Sequence, residues 1–94
     1  MNTTRREVLM PSDTTTTQAQ VSLASLKPGV EAIITRLDLG RHAANRLAVM
    51  GFTLGARVKV LQNYGHGPLI VLVRGTRVAL GRGEASRIFV SEQR

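Results

Sequence analysis

Cysteine is absent from this sequence, and aromatic residues and long apolar runs are scarce. Without cysteine the chain forms no disulfide, no thiolate-bound zinc or iron–sulfur centre and no cysteine nucleophile. The longest aliphatic run, at residues 69–73, is far shorter than the roughly 20 residues of a membrane-spanning helix. The apolar stretch behind Arg5 and Arg6 is also shorter than the ~7 to 15 residues of a signal-peptide core, so we expect no export signal.

What is present is typical of one small folded domain. The 94 residues leave room for a single domain, since a domain takes roughly 150. The content of 43% apolar and 20% charged residues is that of a folding chain rather than of a disordered or collagen-like one. Residues 1–22 include a run of threonines and few apolar side chains, which predicts a disordered extension that is dispensable for folding. The domain is therefore assigned to residues 23–94.

The charge of the chain is strongly positive. A formal net charge of +7 favours an anionic partner, such as nucleic acid, an anionic membrane surface or an acidic protein. Two arginines and two acidic residues cancel within residues 1–22, so the whole excess lies in the domain. The basic residues are dispersed there, however, and an ordinary solvated surface explains such a distribution equally well. Charge alone leaves both interpretations open.

The pattern after residue 23 is one of short strands separated by glycine and proline. Residues 31–37 are rich in β-branched side chains, and residues 56–61 alternate valine with arginine and lysine, as in a strand with one solvated face. Gly55 and Gly75 fit structural turns, the latter in a tight hairpin at residues 74–76. Strands are predicted over 31–37, 56–61, 69–73, 77–80 and 87–90, with a loop at 63–68 and one helical turn at 84–86.

One short helix is predicted over residues 41–50. Ala43, Leu47 and Met50 recur at helical spacing and would form its buried face. Gly51 follows where a helix end requires a left-handed residue, and it is interpreted as structural. Five strands with one helix inserted after the first predict a mainly β fold, a small SH3-like β-barrel.

Several short motifs follow one another in a fixed order along the domain. They are LKPG (26–29), RL (46–47), MGFTLGA (50–56), GP (67–68), VLVRG (71–75), VAL (78–80) and ASRIFV (85–90). This ordered set, over residues 23–90, resembles the FeoA family, ferrous iron transport protein A. The resemblance implies a cytosolic SH3-like domain whose partner is FeoB, the membrane GTPase that transports Fe(II) into bacteria. A similar domain forms the C-terminal end of metal-dependent repressors of the diphtheria toxin repressor family. Their DNA-binding and metal-binding domains are lacking in this chain.

The function implied by this resemblance is that of a non-catalytic accessory protein of ferrous iron uptake. It would be cytoplasmic and associated with the inner membrane through FeoB. Contact with the anionic inner-membrane surface and weak self-association are further partner hypotheses. No enzyme activity and no cofactor are expected, because the glycine string that begins at Gly81 has Ser86 in place of its third glycine and no Walker A sequence is present.

The partner-binding surface is predicted on the helix. If its apolar side chains face the sheet, Arg41 and Asn45 lie on the opposite side and Arg46 lies on a flank. Arginine side chains suit carboxylates on a partner. Asn45 stands where the family commonly has a second basic residue, which weakens the claim that a basic surface makes the contact. These three residues are nevertheless the predicted partner-binding set.

Iron transport also raises the question of an iron site. A non-haem Fe(II) site typically uses two histidines and a carboxylate, and Asp38, His42 and His66 are the candidates. His66 would have to approach from a loop. A polar helix end and a loop histidine explain the same residues without a metal, so no metal site is assigned.

A basic β-barrel that binds RNA or DNA is the alternative function. Single-strand binding by such barrels uses aromatic side chains on which bases stack. Phe52, Tyr64 and Phe89 are all the aromatic residues that the chain contains. We therefore expect no nucleic-acid partner.

Overall fold

A computed structural model describes residues 20–93 of the chain. Six strands form one antiparallel sheet, joined by two helices and a 3₁₀ turn. In chain order the elements are β1 (Val21–Ser22), the 3₁₀ turn (Leu23–Ser25), β2 (Glu31–Leu37), α1 (Arg41–Val49), β3 (Arg57–Gln62), β4 (Leu69–Val73), β5 (Thr76–Leu80), α2 (Arg82–Ala85) and β6 (Ile88–Glu92). The strand order across the sheet is β1-β6-β2-β3-β4-β5.

The prediction of a mainly β fold is confirmed, and so is the short helix after the strand predicted at residues 31–37, which is β2. The sheet is open, however, because within residues 20–93 the outermost strands β1 and β5 each pair with one neighbour only. There are six strands rather than about five, since Val21 and Ser22 pair with Val90 and Phe89 of β6. A strand of two residues is too short to show the alternation by which strands are recognised. The strands predicted at 31–37 and 69–73 have the observed bounds, and the other predicted ends differ from the observed ones by at most two residues.

The predicted boundary at residue 22 falls inside the described fold. Val21 and Ser22 were assigned to the disordered extension, but they form β1 and precede the buried Leu23. Residues 1–19 of that extension lie outside the described residues.

The core is formed mainly by the inner face of the sheet, to which the 3₁₀ turn, α1 and α2 add the buried Leu23, Leu47 and Ala85. Along β4, alternate side chains are buried and half-buried, so a continuous apolar sequence still has one inner and one outer face. Within residues 20–93 no polar side chain is fully buried, and no helix is long and apolar enough to span a bilayer. The fully buried larger side chains are Leu23, Ile34, Leu47, Phe52, Val58, Val60, Leu69, Val71, Val73, Leu80, Ile88 and Val90.

Helix α1 ends in a Schellman motif at Gly51, which has φ of +103°. The Phe52 N–H donates to the Leu47 carbonyl at 3.0 Å, and the Gly51 N–H donates to the Ala48 carbonyl at 3.0 Å. These two bonds satisfy helix carbonyls that would otherwise lack a donor. Leu47 and Phe52 belong to the same buried cluster, so the motif is anchored in the core.

The hairpin between β4 and β5 has a two-residue turn. Arg74 and Gly75 have φ of +52° and +76°, the left-handed pair that a type I′ turn requires. Val73 and Thr76 already pair on either side, so the turn is one residue shorter than predicted. Arginine lacks the conformational freedom of glycine, and a left-handed residue with a side chain costs about 1–2 kcal/mol. Gly55, before β3, has φ of +85°.

Candidate interaction surface

The solvent side of α1 contains the residues that were expected to bind a partner. Leu47 is fully buried and Ala43 half-buried, which fixes the orientation of the helix on the sheet. Arg41 and Asn45 are exposed, and as residues four apart they lie on one face of the helix. Arg46 is exposed as well, on the flank nearest α2.

Arg46 is engaged within the chain. Its Nη2 forms an ion pair with Oε2 of Glu84 in α2, and the two side chains are 58% and 30% exposed. Residues 46 and 84 are far apart in sequence, and no local pattern could indicate their contact. Exposed ion pairs of this kind contribute only about 0–1 kcal/mol. A carboxylate on a partner would therefore compete with Glu84 for Arg46, whereas Arg41 has no acidic partner among the described residues.

A second exposed surface lies at the edge of the sheet. A groove, called here the β5 groove, has Val49 and Met50 at the end of α1 on one side and residues 76–79 of β5 on the other. Arg74 in the hairpin also lines it. The Val49 side chain is 89% exposed although it is apolar. Sequence reasoning missed this surface, and the only signal was a valine that lies off the buried face of the helix.

The outer face of strands β3, β4 and β5 combines apolar and basic side chains. Leu72 lies between Lys59 and Arg77 in one cross-strand row, and Ile70 pairs with Ala79 in the next. Of the acidic residues in the described chain, only Glu31 forms an ion pair on this face, with Arg57 at 3.7 Å. Lys59 and Arg77 therefore remain available to an external anion.

The loop at residues 63–68 is held by a polar network around Asn63. Asn63 Nδ2 donates to the carbonyls of Ala24 and Leu26 at 2.9 and 2.8 Å. Asn63 Oδ1 accepts a bond of 2.7 Å from Arg82 Nη2, and Arg82 Nε donates to the Gly67 carbonyl at 3.1 Å. The Asn63 amide is saturated by contacts within the chain, since both of its Nδ2 hydrogens are donated and its Oδ1 also accepts from the Gly65 N–H, so its role is architectural.

The candidate metal ligands do not form a cluster. Asp38 precedes α1, His42 lies in its first turn and His66 lies in the 63–68 loop, and all three are exposed. In the described part of the chain, no three histidine or acidic side chains form a group that could hold a metal ion. Weak or absent Fe(II) binding by the isolated chain stays a prediction.

Comparison with known proteins places this fold in a family. Residues 21–92 match the family model of the FeoA domain. The chain belongs to the FeoA family. A relative in Methanocaldococcus jannaschii, named as an Fe(2+) transport protein A, is 40% identical over 70 residues, which cover 74% of this chain and 84% of the relative.

Solved FeoA structures share the fold of this FeoA-family chain. The crystal structure of an iron uptake regulatory protein, FeoA, superposes with a TM-score of 0.76 at 36% identity, covering 80% of this chain and all (100%) of that one. FeoA of Stenotrophomonas maltophilia, crystallised with zinc and described as an SH3 domain protein, superposes with a TM-score of 0.67 at 33% identity, covering 79% of this chain and 96% of that one. The SH3-like prediction is thereby confirmed.

Proposed function

We propose that this FeoA-family protein is a non-catalytic accessory protein of ferrous iron uptake that binds the cytosolic part of a FeoB-type membrane GTPase. The match of residues 21–92 to the FeoA domain is the observation on which the proposal rests. The name of the archaeal relative refers to Fe(2+) transport, and the S. maltophilia protein is described as a candidate activating factor of that process. Both support a role in transport.

The exposed side of α1 is the proposed contact. Arg41 and Asn45 share this side, and the guanidinium of Arg41 matches the geometry of a carboxylate on the transporter. Arg46 contributes less, because Glu84 already neutralises it. Docking there would hold the protein at the inner membrane, where anionic lipids attract each nearby basic residue by roughly 1 kcal/mol.

The proposal is tested by co-purification with FeoB from membranes of iron-limited cells. Arg41→Glu should weaken the association and slow Fe(II) uptake, while the melting temperature stays close to that of the wild type. Lys27→Glu is the matched control, since it makes the same charge change at an exposed residue outside α1, in the connection between the 3₁₀ turn and β2. Glu84→Gln frees Arg46 and should leave the association equal or stronger.

Each result of this experiment has a distinct meaning. Failure of the wild-type protein to associate with the transporter would refute the proposed function. Equal losses in Arg41→Glu and Lys27→Glu would show that net charge, rather than the surface of α1, governs binding. Nucleic acid retained after purification, with transporter binding lost on nuclease treatment, would favour the RNA or DNA alternative.

A further inference from the structure

Strand β5 has a free edge. Within residues 20–93 it pairs with β4 on one side and with no strand on the other. Val73 and Thr76 flank a two-residue turn, so they exchange both of their backbone hydrogen bonds. Bonded pairs alternate along an antiparallel ladder, and Arg77 and Ala79 therefore direct their N–H and C=O groups away from β4. Such a row of unpaired groups is a template for an added strand.

The β5 groove lies along this free edge. Its opposite side is formed by Val49, 89% exposed, and by the half-buried Met50. Successive side chains of an added strand would point to opposite faces of the sheet. Those on the inner face would contact the apolar end of α1, and those on the outer face would lie beside Arg77. The groove thus favours a strand with an apolar residue at every second position.

The charge around the groove indicates which residues would occupy the remaining positions of the added strand. Arg74 and Arg77 both line the groove, and no described acidic residue pairs with either. Among protein side chains, carboxylates suit arginine best, because the hydrogen bonds between them are charge-assisted and frequently bidentate. A second copy of this chain is a poor occupant, because antiparallel pairing of two β5 edges would bring both Arg77 side chains onto the same face, and β5 contains no carboxylate to separate them. The net charge of +7 opposes such pairing as well.

We propose that the β5 groove binds an extended segment of a partner protein, which adds a strand to β5 and alternates apolar with acidic residues. The backbone of the partner pairs with Arg77 and Ala79, its apolar side chains cover Val49 and Met50, and its carboxylates meet the two arginines. This surface differs from the exposed side of α1. Binding there does not depend on the proposed role in iron uptake.

A synthetic peptide tests the proposal directly. The probe is a fluorescein-labelled peptide of about seven residues, near the usual length of a strand, that alternates valine with glutamate. Fluorescence anisotropy is expected to show saturable binding to the full chain. A peptide of the same composition with its valines and glutamates in separate blocks, and a peptide N-methylated at alternate amides, should each bind about tenfold more weakly.

Variants of the protein locate the site. Arg77→Glu should weaken binding about tenfold, whereas Lys59→Glu, the same reversal on the same sheet face but away from the edge, should not. Val49→Ser should weaken binding, and Leu54→Ser is its control, since Leu54 is 65% exposed but does not line the groove. Ala79→Pro removes one outward N–H at a position where an edge strand tolerates proline. Melting curves report whether each variant is folded.

Three outcomes would overturn the proposal. Equal affinity for the alternating and block peptides would mean non-specific attraction between charges. No saturation at millimolar peptide would show that the edge does not accept a strand. Dimerisation of the chain that is lost in Ala79→Pro would assign the edge to a second copy. The N-methylated peptide leaves the protein unchanged, so the test does not depend on the folding of any variant.

Discussion

The side chain of Arg74 lies over Gly51, in the space that a Cβ atom on this glycine would need. A Cβ there would be 3.0 Å from Arg74 Cδ and 3.2 Å from Val73 Cγ2. Gly51, at the end of α1, and Arg74, in the β4–β5 hairpin, both have a backbone with positive φ. Their contact fixes the end of the helix against the hairpin, and so sets the distance between the two sides of the β5 groove.

We predict that Gly51→Ala destabilises the protein by about 2 kcal/mol or more in urea unfolding, because strain at positive φ adds to the crowding by Arg74. Gly55→Ala has the same kind of strain at φ of +85° but meets nothing within 4 Å, so it should cost only about 1 kcal/mol. Gly83→Ala, in α2 and in open space without positive φ, is the control and should be neutral or stabilising by up to about 1 kcal/mol. Equal effects at Gly51 and Gly55 would show that packing of Arg74 contributes nothing.

The network around Asn63 gives a second prediction. Asn63→Ala removes two donors from the carbonyls of Ala24 and Leu26 and an acceptor from Arg82, so it should lower the free energy of unfolding by about 1–3 kcal/mol. Tyr64→Ala changes the neighbouring residue, which is 71% exposed, and should change stability by less than about 0.5 kcal/mol. Chemical denaturation of both variants is the measurement. A neutral Asn63→Ala would mean that water replaces these bonds at no cost.

Two truncations of the N-terminus test whether the predicted extension contributes to the stability of the domain. Deletion of residues 1–19 should shift the melting temperature by less than about 5 °C, on the order of 1 kcal/mol for a domain of this size. Deletion of residues 1–22 should lower it further, because it also removes β1 and its pairing with β6. A large shift on removal of residues 1–19 alone would show that they dock on the domain.

The isolated chain should bind Fe(II) weakly or not at all, and it should neither bind nor hydrolyse GTP. Asp38, His42 and His66 do not form a cluster in the described chain, and two histidines with a carboxylate must converge to hold Fe(II). Anaerobic titration calorimetry measures the affinity, with His42→Ala and His66→Ala as comparison variants. A stoichiometric site with micromolar or tighter affinity that either substitution removes would contradict this prediction.

Local patterns in the sequence were sufficient for most elements. The apolar spacing of Ala43 and Leu47 and the glycine that follows the helix defined α1, since a helix needs one buried stripe and a left-handed residue at its end. The apolar run of β4 was also predicted with its observed bounds, Leu69–Val73. The order of short motifs was enough to indicate the FeoA family.

Tertiary structure alone decided the surfaces. Two of their features are contacts between segments that are far apart in the chain: the ion pair of Arg46 with Glu84 and the packing of Arg74 on Gly51. The third is the free edge of β5, which depends on the order of the strands in the sheet. The sequence determined the periodicity and turn chemistry of each element, because these depend on neighbouring residues. Which side chains remain free for a partner depends on how the elements pack together, and no local pattern records that packing.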